Sequence, residues 1–278
     1  MKKIFFILLL ASVNFTVAGK SPVAWDSLKM VEMPDWKKYF SEQLVEGTFV
    51  LYDQQKGKYF IYNKERFDTR YLPASTFKIF NSLVGLETKA VKNEKTVFEW
   101  DGFDRGNPNW NYSQNMADAF KNSTVWYYQE LAKKIGFKNM QEWVDKCNYG
   151  NKDISGGIDN FWLRGKLRIS AKEQVEFLKR LQAELLPFSK TSVDIVKKIM
   201  TEEETGTYIL RAKTGWADGM NPDIGWYVGY VEREKAGENP EKKKEYFYFA
   251  LNIDMPAGTK AEVRKIIARK ILTEVNAI

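Results

Sequence analysis

An α+β fold is predicted: an antiparallel sheet built from both ends of the chain, flanked by helices, with a helical lobe inserted between. Three observations predict it. Runs rich in aromatic and β-branched residues lie near the start of the chain and again beyond Glu204, while helix-period segments fill the middle. Of the 278 residues, 44% are hydrophobic and 15% aromatic, enough to fill one sizeable core. The elements follow in order. Gly47 to Asp53 reads as a strand, Gln54 to Gly57 as a turn and Lys58 to Asn63 as a second strand, together a hairpin. Ser75 to Leu86, entered through Pro73, reads as a helix. Val125 to Ile135, Met140 to Cys147 and Ala171 to Leu181 read as further helices within a lobe spanning roughly residues 85–190. Ser170 and Glu173 form a capping box ahead of the last of these. Loops rich in Gly and Asn, notably Asn148 to Gly157, separate them. Tyr208 to Thr214, Ile224 to Glu232 and Tyr246 to Ile253 read as strands, and the charged stretch Glu234 to Glu245 joins the last two. Lys260 to Val275 closes the chain as an amphipathic helix.

The first residues carry a different message. Met1-Lys2-Lys3 is a short basic start, Ile4 to Ala11 an apolar run, and Val17-Ala18-Gly19 a small-residue ending, the pattern of a secretory signal peptide. The expectation is removal of residues 1–19 and export of residues 20–278 to a periplasm. The apolar run is too short to span a bilayer comfortably, and no later stretch is long and apolar enough to do so, so no stable membrane insertion is expected. Forty-three Lys and Arg stand against 36 Asp and Glu, a net charge of +7. The basic residues are mixed with acids, as in Glu241-Lys242-Lys243-Lys244-Glu245, and not gathered into the stripe of a nucleic-acid binder. The single Cys, Cys147, forms no intrachain disulfide and reads as an apolar filler. The chain has no His, which excludes a Ser-His-Asp triad, a Cys-His pair and His-ligated zinc. No metal or organic cofactor is expected, and the oligomeric state is left open.

The chemistry centres on Ser75-Thr76-Phe77-Lys78, the chain's Ser-x-x-Lys. On a helix, residues three apart share a face, so the Ser75 hydroxyl and the Lys78 amine become neighbours. Serine is a poor nucleophile until a base takes its proton, and without His the nearest candidate is Lys78. A helix start adds positive potential for an oxyanion. Alone, the motif has a second reading, an N-cap serine followed by a solvated lysine. Lys213-Thr214-Gly215, at the end of a predicted strand, narrows the choice, since Gly there admits close approach of another segment. An early Ser-x-x-Lys with a late Lys-Thr-Gly is the signature order of penicillin-binding proteins and class A β-lactamases. Ser-Asp-Asn, needed for class A, is missing.

The sequence resembles the class D (oxacillinase-type) serine β-lactamases. The resemblance rests on Ser75-Thr76-Phe77-Lys78, Ser123-Thr124-Val125, Tyr149-Gly150-Asn151, Phe161-Trp162-Leu163 and Lys213-Thr214-Gly215, in order. It extends through Phe98 to Gly102, Asp153 to Gly156 and Ile224 to Gly229. It implies that Lys78 carries carbon dioxide as a carbamate (N6-carboxylysine) and acts as general base, so that CO2 or bicarbonate is required. It implies Trp162 as a donor to that group, Ser123 as a proton relay aided by Lys213, and the N–H groups of Ser75 and Trp216 as the oxyanion hole. Val125, Thr214, Gly215, Trp216 and Arg264 are implied as substrate contacts, with Arg264, Lys213 and Thr214 holding the substrate carboxylate. The implied partner is a small β-lactam, and the implied reaction is hydrolysis of its cyclic amide, giving antibiotic resistance. Two alternatives use the same nucleophile: a penicillin-sensing receptor domain and a D-Ala-D-Ala peptidase. Taken singly, Val125, Trp126, Trp162 and Trp226 also read as core, and Tyr149 and Asn151 as loop formers.

Overall fold

Alternation along the strands decides which layer covers which face of the sheet. In the C-terminal strands, Trp226, Val228 and Tyr230 point to one side with Tyr248 and Ala250. Tyr227, Val231, Phe249 and Leu251 point to the other. Both faces are therefore apolar, and each needs a helical cover. The computed structural model describes residues 29–234 and 244–278. The expected export segment 1–19 and most of the stretch between Glu234 and Glu245 lie outside the described residues.

The strands are β1 (Lys29–Glu32), β2 (Gly47–Asp53), β3 (Lys58–Tyr62), β4 (Val97–Phe98), β5 (Gln114–Asn115), β6 (Thr201–Glu204), β7 (Tyr208–Ala217), β8 (Asp223–Glu234) and β9 (Lys244–Met255). Seven of them form one sheet in the order β1-β3-β2-β9-β8-β7-β6, and β4 and β5 pair by themselves. The predicted joining of the two chain ends is the β2–β9 ladder, with Val50 opposite Ala250. All main ladders are antiparallel except one: β1 runs parallel to β3 at the sheet edge. The sheet is thus antiparallel, as predicted, with one parallel edge strand added.

The helices are α1 (Lys37–Ser41), α2 (Lys64–Phe67), α3 (Lys78–Glu87), α4 (Met116–Lys121), α5 (Val125–Ile135), α6 (Phe137–Cys147), α7 (Ala171–Gln182), α8 (Lys190–Ile199) and α9 (Val263–Glu274). Helices α1 and α9 cover one face of the sheet, burying Phe40, Ile267, Ile271 and Leu272 with Phe49 and Phe249. Helices α3 and α7 cover the other, where Phe80, Leu83, Val175 and Leu178 join the core of the helical lobe. The capping box of α7 is complete: the Glu173 N–H donates to Ser170 Oγ (3.2 Å) and the Ser170 N–H to Glu173 Oε2 (2.9 Å). No helix among the described residues is long and apolar enough to cross a membrane.

Two boundaries near the motifs differ from the sequence reading. The α-helix predicted from Ser75 starts at Lys78, and Ala74–Phe77 forms a 3-10 turn before it. The turn is fastened by side chains: Thr76 Oγ1 donates to the Pro73 carbonyl (2.7 Å) and accepts from Gln174 Nε2 (2.8 Å). Strand β7 also runs past Thr214, because Gly215, Trp216 and Ala217 still pair with Trp226, Gly225 and Ile224. Lys-Thr-Gly therefore lies inside the strand and not at its end.

Candidate active site

The 3-10 turn is what brings the Ser75 hydroxyl and the Lys78 amine together. In this geometry residues i and i+3 eclipse one another. Lys78 Nζ accordingly donates to Ser75 Oγ over 2.6 Å. Ala74, just before the serine, has a φ of 47°, a left-handed conformation costly for a residue with a Cβ. Its N–H donates to the Trp162 carbonyl (3.0 Å), tying the turn to the loop that carries that tryptophan.

Lys78 is 1% exposed. Burial, and after it the positive charge of Lys213, holds its amine well below the ordinary lysine value. The Tyr128 ring lies beneath it, with Nζ 5.4 Å from the centroid. Phe77, its chain neighbour, stacks on the fully buried Trp162 (5.5 Å, 25°). The amine is thus desolvated, shifted towards its neutral form and hydrogen-bonded to the Ser75 hydroxyl.

Ser123 and Lys213 form a second pair across the site. Ser123 sits between α4 and α5 with a φ of 56°, held by its N–H on the Phe120 carbonyl (3.2 Å). The next residue, Thr124, donates its hydroxyl to Gln114 Oε1 (2.8 Å), which anchors the start of α5. Lys213, from β7, donates to Ser123 Oγ (3.0 Å) and to the Thr214 carbonyl (3.2 Å). Burial, with Arg264 and Lys265 nearby, brings its amine down to about 7.

The ladder between β6 and β7 ends at Arg211, so the outer edge of β7 beyond it faces the 3-10 turn. A Cβ on Gly215 would meet the Pro73 carbonyl at 3.0 Å and the Thr76 N–H nitrogen at 3.3 Å, which is why this position of the motif is glycine. Arg264, from α9, is 7% exposed; its Nη1 donates to the Gly215 carbonyl and its Nε to the Ala261 carbonyl (2.8 Å). Its guanidinium lies 5.5 Å from the Trp216 ring, and Trp216 Nε1 donates to Asp223 Oδ2 (2.9 Å). Ser75, Ser123, Val125, Thr214, Trp216 and Arg264 all line one cleft of about 1040 Å3. Lys78, Lys213 and Trp162 lie behind that lining.

Tyr149, Gly150 and Asn151 stay outside the cleft and shape its support. Tyr149 is buried against Phe77 and Phe80. Gly150 has a φ of 54°, and a Cβ there would lie 2.2 Å from the Arg168 carbonyl. Asn151 bonds Arg168 and Lys166 through both ends of its amide, closing the loop that carries Trp162.

The sequence reading did not single out Arg105, Trp110, Asn122, Arg164 and Asp218 of the cleft lining, nor Tyr128 below Lys78. Arg164 and Asp218 form an exposed ion pair of 2.6 Å, joining the loop after Trp162 to the turn after β7. No motif marks either residue, because partners 54 positions apart leave no local pattern.

Comparison with known proteins agrees with this geometry. Residues 47–273 match the family described as the penicillin binding protein transpeptidase domain. The β-lactamase OXA-48 of Klebsiella pneumoniae is 41% identical over 247 residues, 89% of this chain and 90% of that protein. The crystal structure of the class D β-lactamase FUS-1 (OXA-85) of Fusobacterium nucleatum superposes with a TM-score of 0.83 at 38% identity, covering 89% of this chain and 100% of that one. The class D β-lactamase YbXI of Nostoc gives 0.82 at 41%, covering 87% and 99%. With the penicillin-binding-protein domain spanning most of its length and class D enzymes as close relatives in sequence and structure, the chain belongs to the class D serine β-lactamase family.

Proposed function

We propose that this protein hydrolyses the amide bond of β-lactam antibiotics through an acyl-enzyme on Ser75, and thereby gives resistance to them. One observation carries the reading: a buried lysine, held well below the ordinary lysine value, lies 2.6 Å from a serine hydroxyl at the edge of a cleft, in a chain without histidine.

The surroundings of Lys78 fit a carbamate. A neutral amine is the form that combines with carbon dioxide, and an anion at this position turns the repulsion from Lys213 into attraction. Bound there, the group supplies a carboxylate-like proton acceptor beside Ser75. The chain's own residues account for the remainder. Ser75 Oγ attacks the lactam carbonyl as the side chain at 78 accepts its proton. The N–H groups of Ser75 and Trp216 receive the developing oxyanion. Ser123 passes a proton towards the lactam nitrogen, with Lys213 bonded to its Oγ. Lys213, Thr214 and Arg264 place positive charge and donors where the substrate carboxylate binds, and the planar guanidinium suits a carboxylate. The side chain at 78 then activates water to release the product.

Residues 1–19 are proposed to direct export, so that residues 20–278 act in the periplasm as the catalytic domain. The experiment uses that exported chain with nitrocefin. Many turnovers per enzyme are expected, reduced after removal of dissolved carbon dioxide and restored by bicarbonate. A single stoichiometric burst without turnover indicates a penicillin-sensing domain. Turnover of D-Ala-D-Ala peptides in preference to nitrocefin indicates a peptidase.

A further inference from the structure

The mechanism uses Ser75 but does not explain what holds it in place. The turn that presents it contains Ala74 at a φ of 47°. Alanine gains nothing locally from that conformation, so its neighbours must impose it. On the downstream side the turn is locked by Thr76 and Gln174. On the upstream side, Tyr71 pairs with Ile169 through both backbone groups (2.9 Å each). Between these two anchors, the Leu72 carbonyl is held by a side chain: Trp226 Nε1 donates to it over 2.9 Å. Trp226 is 0% exposed and does not line the cleft. It lies on β8 directly opposite Gly215 of the Lys-Thr-Gly strand. One residue thus joins the segment leading to Ser75 to the strand that carries Lys213, Thr214 and Trp216.

We propose that Trp226 is a positioning residue for the reaction: its indole N–H, anchoring the Leu72 carbonyl to the central sheet, sustains the left-handed Ala74 and so sets the Ser75 hydroxyl against Lys78 and the edge of β7. The inference rests on the hydrolytic reading above. Without the anchor, the segment from Leu72 to Ala74 relaxes towards negative φ at Ala74, and Oγ leaves its attack position. A glycine at 74 adopts the left-handed conformation without the cost of a Cβ, so it removes the need for the anchor.

The test is pre-steady-state acylation by nitrocefin in the full exported chain. Trp226→Phe keeps an aromatic ring and deletes the donor. Its acylation rate constant is expected to fall by about tenfold to about a hundredfold, with the dissociation constant of the initial complex little changed. Adding Ala74→Gly to Trp226→Phe is expected to restore most of that loss. Incorporation of 3-benzothienylalanine at position 226, which matches the indole in shape and lacks the N–H, is expected to reproduce the Trp226→Phe defect; it serves alone if the phenylalanine variant does not fold. Native acylation rates in both position-226 variants overturn the proposal. So does a loss in Trp226→Phe that Ala74→Gly fails to rescue, because a merely structural tryptophan would not respond to residue 74. Absence of turnover in the native enzyme is a separate result, and it removes the hydrolytic reading itself.

Discussion

Replacing Lys78 by alanine is expected to slow hydrolysis of a penicillin by about a thousandfold while leaving the fold as stable as before or more so. The activity side follows from general-base catalysis, whose loss costs about a hundredfold to about ten-thousandfold. Lys78 Nζ is bonded to Ser75 Oγ (2.6 Å), and the chain has no histidine to take over. The stability side follows from burial. Before it combines with carbon dioxide, an amine 1% exposed and pressed by the charge of Lys213 is a burden on the folded state, and alanine removes it. Kinetics with a good penicillin, intact-protein mass spectrometry and a thermal melt check the three parts together. Residual acylation should appear as a long-lived covalent adduct, because the water that releases the product also lacks its base. Hydrolysis within tenfold of the native rate would exclude Lys78 as the base. A much lower melting temperature would instead assign it a structural part.

The second large effect belongs to Lys213. Lys213→Ala is expected to lower kcat/KM by about a hundredfold and to remove the alkaline limb of its pH profile. The sign follows from the charge that is needed. Burial brings the Lys213 amine down to about 7, so its cation is present below that pH and is lost above it. If the cation draws in the substrate carboxylate and assists Ser123, kcat/KM of the native enzyme declines as pH rises through about 7. Bound substrate, being anionic, raises this amine again, so the limb should move to higher pH in kcat. The acidic limb reports the opposite requirement, an uncharged Lys78 amine; because the Lys213 charge helps hold that amine down, the limb should persist in the variant but move to higher pH. An alkaline limb unchanged in Lys213→Ala would assign that titration to another group.

Much of this site was legible in the sequence because its parts are local. Ser75 and Lys78 are three apart, Lys213 to Gly215 are consecutive, and the strands around them announce themselves by apolar side chains on both faces. What stayed hidden depends on partners. β6 is Thr-Glu-Glu-Glu, with no apolar residue to signal a strand; it exists because β7 offers it a ladder. β1 is four residues long and takes its place at the edge from β3. Nothing in Ser-Thr-Phe distinguishes the 3-10 turn at Ala74–Phe77 from the first turn of an α-helix beginning at Ser75. The hydrophobicity of Trp226 marks it as core, but its bond to Leu72 joins residues 154 apart and has no sequence signature.

The contact between Arg164 and Asp218 bears on how firmly one side of the cleft is held. The two side chains are 65% and 57% exposed, and a pair so wetted is worth at most about 1 kcal/mol. At physiological ionic strength its field fades within about 8 Å. This contact, on the lining of the cleft that holds Ser75, is therefore a weak tie between the two segments, and dissolved ions weaken it further. Breaking the tie alone costs no more than about 1 kcal/mol, less than many single hydrogen bonds to a charged group.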